Sequence, residues 1–230
     1  MPARNRAGKE KSVNCEQRHL FGEGVIKFDL KFSKGPALSL EKIRELNSWR
    51  KILFLNGLIG EDPGRYEGFG FGNVSRRLEP WNAPPTKRPF IITGSQTQNL
   101  TDLEPEHFTT VLEFDPANNL VVAQGPLPPS SEALTHGSVY ALDPEIRFVF
   151  HVHSPQIWRK AKTLGIPLTD EKALYGTPQL AEEVKRLFKA GVLRDKHILA
   201  MGGHQDGVLT FGSTAAEAGY LLLNTLVRSH

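Results

Sequence analysis

The sequence predicts an α/β fold built on a mixed, mainly antiparallel sheet. Strand-like runs and helix-like runs are intermixed, without the strict strand–helix–strand rhythm of a parallel sheet. The 230 residues carry no internal repeat and no internal linker, so one domain over 21–230 is expected behind a polar, basic tail at 1–20. That tail is expected to be disordered.

The elements follow in order. Ile26, Phe28, Leu30 and Phe32 alternate with Lys27, Asp29 and Lys31, the period-2 pattern of a half-buried strand. Ser39 can cap a helix running to about Leu58, with Ile43, Leu46, Trp49, Leu53 and Phe54 on its apolar side. Pro and Gly in EDPGRYEGFGFGN (61–73) break that helix, and short strands are expected at 74–78, 89–93 and 119–123. A helix is expected from Ser130 to Leu142, followed by a strand from Arg147. Helices near 155–164 and 177–190 come next, the second opened by Thr177 and Pro178. Strands at 197–201 and 207–211 and a helix from Ser213 complete the chain.

Composition excludes several function classes. Hydrophobic residues make up 39% and charged residues 23%, ordinary values for a soluble globular protein. No apolar run approaches the roughly 18 residues of a membrane span, and no apolar segment follows the basic N-terminus as in a secretory signal. A cytoplasmic location is the expectation. The single Cys15 rules out an intrachain disulfide and a cysteine zinc cluster, so any metal site must use His, Asp or Glu. Net charge is +3, and Arg4, Arg6, Lys9 and Lys11 against Glu10 account for it in the tail. With the rest of the chain formally neutral, neither a nucleic acid nor a membrane is expected as a partner.

One strand carries an unusual load. FVFHVHSP (148–155) sets two histidines in an apolar run, and residues i and i+2 of a strand share a face. His151 and His153 therefore point the same way. They are either two core histidines with hydrogen-bond partners, or a pair of neutral imidazole ligands for a divalent metal. Upstream, Ser130 or Ser131 suits an N-cap, which puts Glu132 in the first helical turn. His136 lies on the same helical face as Glu132, as a supporting partner or as a surface residue.

At this point the chain resembles the class II aldolase/adducin family. Ser130, Ser131, Glu132, His136, Tyr140, His151, His153 and Ser154 match its paired small residues, acid, His, Tyr and H-x-H-S in type and order. GFGNVSRRL (70–78) resembles its G-N-x-S strand, IITGSQ (91–96) its following turn, YGTPQLAEEV (175–184) its Y-G-T segment, and GGHQDGVLTFGSTAAEA (202–218) its N-H-G strand and closing helix. The resemblance covers roughly residues 40–228.

It implies a three-layer αβα fold and a divalent metal, usually Zn2+, with Mn2+, Fe2+, Co2+ or Ni2+ as alternatives. His151, His153 and His204 are its implied ligands. Glu132 is the implied acid/base. The implied reaction makes or breaks a C–C bond next to the carbonyl of a sugar, sugar-phosphate or hydroxy-acid-like small-molecule substrate through a metal-stabilised enediolate. Alternatives are a decarboxylase, dehydratase or epimerase using the same metal, or a non-catalytic adducin-like module. Asn73, Thr93, Ser95, Ser130 and Ser131 are the implied substrate or phosphate contacts, and a homo-oligomer, favouring a tetramer, is implied. The turn's usual Pro and Gly are Gly94 and Gln96 here, and its N-H-G reads Gly203, His204 and Gln205.

Overall fold

The computed structural model describes residues 25–230, and the tail expected at 1–20 lies outside the described residues. An eight-stranded sheet forms the centre. It is built from β1 (Asp29–Lys34), β4 (Asn73–Arg77), β5 (Phe90–Thr93), β6 (Phe108–Asp115), β7 (Leu120–Gly125), β8 (Phe148–His153), β9 (Ile198–Ala200) and β10 (Gly207–Gly212). The spatial order is β1-β7-β6-β5-β4-β8-β10-β9. Only β1 and β7 run parallel; every other neighbouring pair is antiparallel. The sheet is therefore mixed and mainly antiparallel. A short pair, β2 (Gly60–Glu61) and β3 (Gly70–Phe71), stands apart.

Helices cover both faces. On one side α1 (Leu40–Leu55), α3 (Pro155–Arg159) and α6 (Ala215–Arg228) bury Ile43, Leu46, Ile157, Ala218 and Leu222 against Val74, Phe148, Phe150 and Val152. On the other, α2 (Ala133–Leu142), α4 (Pro178–Lys189) and α5 (Val192–Lys196) bury Leu134, Val139, Leu180, Val184 and Leu193 against Ile92, Val149 and Leu209. The result is three layers, αβα, and each fully buried large apolar side chain contributes roughly 1.5–3 kcal/mol. Among the described residues no helix is long and apolar enough to cross a membrane.

Central position explains the character of β8. It is hydrogen-bonded between β4 and β10, and all six of its residues are buried. Alternation sends Phe148, Phe150 and Val152 into one core, leaving Val149, His151 and His153 on the α2 side. The adjacent helix α2 is anchored at its far end by two buried arginines. Arg88 donates to the Tyr140 carbonyl, and Arg77 donates to the carbonyls of Pro144 and Trp81 at 2.6 Å each. Arg88 thus satisfies a carbonyl in the last turn of α2, while Arg77 holds the segment just beyond it.

Several local expectations shift. The first strand spans 29–34 rather than 26–32, and α1 ends at Leu55, with Ser39 at its N-cap but no side-chain capping bond. Helix α2 begins at Ala133, so Glu132 is itself the N-cap residue; Ser130 Oγ instead accepts from the Glu132 amide at 3.4 Å. The helix at 155 ends after one turn. The opening of α4 is as expected, with Thr177 accepting from the Leu180 amide and Pro178 at the first helical position. Strand β6 and helix α5 were not expected. In β6 a bulge between Val111 and Glu113 exposes Leu112 and Glu113 together, which breaks the period-2 signal.

Candidate metal centre

Three elements deliver the site. The face of β8 supplies His151 and His153, the loop between β9 and β10 supplies His204, and the N-cap of α2 supplies Glu132. All four are at least nine-tenths buried. One nitrogen from each imidazole lies within 4.8 Å of the others, a grouping able to hold a metal ion. The Nε2 atoms of His153 and His204 are 2.8 Å apart. Glu132 Oε1 lies 3.2 Å from His204 Nδ1 and 3.8 Å from His151 Nε2.

The donor set suits a divalent cation. Burial, then the neighbouring His204 and His136, holds His151 well below the ordinary histidine pKa. Burial, His204, His151 and the Arg65 charge do the same for His153. Both are neutral near pH 7, the form that coordinates metals. His151 Nε2 has no hydrogen-bond partner although it is fully buried. A tetrahedral ion with Zn–N near 2.0–2.1 Å places ligand nitrogens about 3.3 Å apart, so small movements would seat one. These residues fit the group.

Below the site lies a buried relay. Ser75 Oγ sits 2.6 Å from His136 Nδ1 and 2.7 Å from the Tyr140 hydroxyl. His136 is therefore a core residue, not a surface one, and burial lowers its pKa to about 3. Asn73 stands opposite His151 in the β4–β8 register, with its buried Oδ1 lacking a hydrogen-bond partner.

The expected substrate contacts divide. Ser95, Ser130 and Ser131 line one cavity of about 460 Å3, together with Gln96, Gln98 and Glu61. Thr93 is turned inward, its Oγ1 accepting from the Val74 amide at 3.3 Å. Gln96 adopts φ +60, the left-handed conformation that favours glycine, at the position where the family's turn has Gly. His107 and His197 lie elsewhere, His107 bonded to the Glu104 amide and His197 stacked on Phe211.

Several aromatic and charged residues at the centre escaped sequence reasoning. The Tyr66 ring meets His153 edge-on with centroids 4.6 Å apart, and its hydroxyl donates to Asp206 Oδ2 at 2.8 Å. Arg65 Nη2 donates to that same hydroxyl at 2.6 Å. The Tyr175 ring packs 4.5 Å from His204, with Lys27 Nζ 3.3 Å above it. Tyr66 lay in a stretch legible only as a helix breaker; Tyr175 was visible in Y-G-T, but its stacking has no sequence signature.

Comparison with known proteins bears on the fold and the family. No curated protein matches the sequence. Among solved structures, an L-fuculose 1-phosphate aldolase is similar with TM-score 0.59 and 18% identity, covering 84% of this chain and 84% of that one. A sugar-phosphate aldolase from Thermotoga maritima gives 0.57 and 17%, covering 82% and 92%. The L-fuculose-1-phosphate aldolase from Thermus thermophilus gives 0.54 and 23%, covering 83% and 91%. At these identities the likeness is one of fold. The model of the Class II Aldolase and Adducin N-terminal domain matches residues 65–225, which include the acid and all three histidines. The chain belongs to the class II aldolase and adducin N-terminal domain family.

Proposed function

We propose that this protein is a metal-dependent lyase of the aldolase type, making or breaking a C–C bond next to a carbonyl in a sugar-like or hydroxy-acid-like substrate. The observation that carries the reading is the convergence of three buried imidazoles with the Glu132 carboxylate 3.2 Å from one of them. A divalent cation held by His151, His153 and His204 supplies Lewis acidity towards a carbonyl oxygen and its adjacent hydroxyl. Glu132 Oε1 accepts a proton from the substrate and returns it to the carbon released by bond cleavage. Burial of the four side chains keeps bulk water from competing for that proton.

The cavity reached by Ser130 and Ser131, next in sequence to Glu132, is the proposed substrate pocket. Ser95, Ser130 and Ser131 offer hydroxyls, Gln96 and Gln98 add amides, and Glu61 adds an acid. Neutral groups beside a carboxylate favour a hydroxylated end over a phosphate, which prefers cations and backbone amides. An unphosphorylated substrate is therefore the preferred reading. A homotetramer is the proposed assembly; exposed Leu40 and Leu55 on α1 and Tyr220 and Val227 on α6 offer apolar surface for it, and light scattering reads the mass.

Elemental analysis after reconstitution with Zn2+, Mn2+ or Fe2+ tests the centre; failure to retain any of them returns the chain to the non-catalytic, adducin-like class. Loaded protein is then offered paired aldehydes with and without phosphate, and products are followed by NMR. A new C–C bond supports the aldolase reading. Loss of CO2, loss of water or inversion at one carbon reassigns the same site to decarboxylation, dehydration or epimerisation.

A further inference from the structure

We infer that Tyr66 and Asp206 form a latch that holds the metal ligands in register, closed by the loop between β2 and β3. The inference rests on the metal-centre reading above and assigns residues outside the donor set. Tyr66 touches two ligand-bearing segments at once. Its ring abuts the His153 imidazole at 4.6 Å, with planes at 79°, and rests on Phe71 at 5.2 Å. Its hydroxyl bonds Asp206, two residues beyond His204 in the loop that supplies the third ligand. The carbonyl of Asp206 in turn accepts from the Ser154 amide at 2.8 Å, next to His153. One side chain thus ties the end of β8 to the His204 loop.

Backbone conformation points the same way. Tyr66 (φ 49), Glu67 (φ 58) and Asp206 (φ 63) all occupy the left-handed region, which is unfavourable for residues with a side chain. Of the two hydrogen-bonded partners, Tyr66 bears the cost of this conformation, which Asp tolerates, and such strain persists only where surrounding contacts over-determine it. Arg65 completes the unit. Its guanidinium lies 4.8 Å from the Tyr66 ring and 4.7 Å from the Phe71 ring, and it donates to the Tyr66 hydroxyl, which leaves that hydroxyl's own proton for Asp206. Asp206 is 4% exposed, so its carboxylate works within the protein rather than in solvent.

An unlatched centre would leave His153 and His204 free to drift apart. Groups that orient metal-ligating histidines typically change metal affinity about 10–100-fold when removed. Tyr66 and Asp206 are positioning residues in this sense. They need touch neither metal nor substrate.

The test is zinc affinity of the full chain, measured by competition with a chromophoric chelator, alongside thermal unfolding of the metal-free protein. Tyr66→Phe keeps the ring against His153 and removes only the hydroxyl; about a 10–100-fold loss of affinity is expected, in excess of any loss in metal-free unfolding. Asp206→Asn keeps an acceptor and tolerates the left-handed backbone, so affinity within about threefold of wild type is expected. Tyr66→Leu removes ring and hydroxyl and should lose more than Tyr66→Phe. Wild-type affinity in both Tyr66→Phe and Tyr66→Leu overturns the latch while leaving the metal centre intact. Wild-type protein that takes up no zinc overturns both readings. A Tyr66→Phe variant that lowers metal-free stability as much as zinc binding also overturns the latch, since it then marks a general structural contact.

Discussion

Gly203→Ala is the most direct probe of how the third histidine is placed. A Cβ built on Gly203 meets backbone on every side: the Ala173 carbonyl oxygen at 2.4 Å, the Ala173 carbonyl carbon at 2.8 Å and the Glu171 oxygen at 2.8 Å. Ordinary contact begins near 3.4 Å, so the two segments must separate by about 1 Å, and close-packed backbone has no flexible tip to yield. Gly203 is also bridged to Leu174, so the movement strains that pairing. The next residue is His204. A ligand position tolerates roughly 0.2 Å, and a shift several times larger removes His204 from the donor set. The expected cost is about 1–3 kcal/mol of stability, with zinc affinity at least about 10–100-fold weaker. Urea unfolding of the metal-free protein and chelator competition measure the two separately. Gly60→Ala is the control, because its added Cβ finds nothing nearer than 3.8 Å. If Gly203→Ala matches wild type in both assays, His204 does not depend on that close backbone approach.

Other substitutions probe the rest of the site. Glu132→Gln is nearly isosteric and should retain metal while turnover falls about 10²–10⁴-fold; equal activity refutes the acid/base role. His153→Ala should abolish stoichiometric zinc in elemental analysis, and a full complement of metal in the variant removes His153 from the ligand set. Ser75→Ala strips a shared partner from His136 and Tyr140 inside the core, so urea unfolding should show about 1–3 kcal/mol lost. Stability of the metal-free protein should decline with acid. The folded His136 pKa of about 3 lies below its ordinary 6.5, so the unfolded chain takes up a proton first. Its contribution is complete above pH 6.5 and is lost between there and about pH 3. A denaturation midpoint constant from about pH 7 to about pH 4 contradicts that burial.

Legibility in the sequence followed the strength of local periodicity. The histidine strand, α4 and β10 lie where patterning and caps put them, because Thr177-Pro178 and unbroken apolar runs leave few alternatives. Strand β6 was invisible because its bulge puts Leu112 and Glu113 on the exposed side together. Parallel pairing of β1 with β7 is a long-range event that no local pattern encodes. Helix α2 starts three residues later than expected, at Ala133 rather than Ser130. Ser130 is an acceptable cap in isolation, but in the structure its carbonyl closes a turn with the Ala133 amide and its hydroxyl accepts from the Glu132 amide, so the helix opens only after Glu132.

The candidate site shows the same division at finer scale. Alternation alone places His151 and His153 on one face, and the structure adds that this face is the one towards α2. His204 could be ranked only by motif, since a histidine in a Gly-rich turn has no periodicity. What decides its place is steric: Gly202 and Gly203 let the loop press against the backbone of 169–173, where any side chain would intervene. The glycines thus help place the candidate ligand His204 without offering it an atom. Tyr66 and Asp206 belong to the same category, acting through a bond between residues 140 apart in sequence. Ligands are chemically marked and legible, whereas the residues that aim them are defined by proximity, so the positioning contacts around a site are where a structure adds most to a sequence.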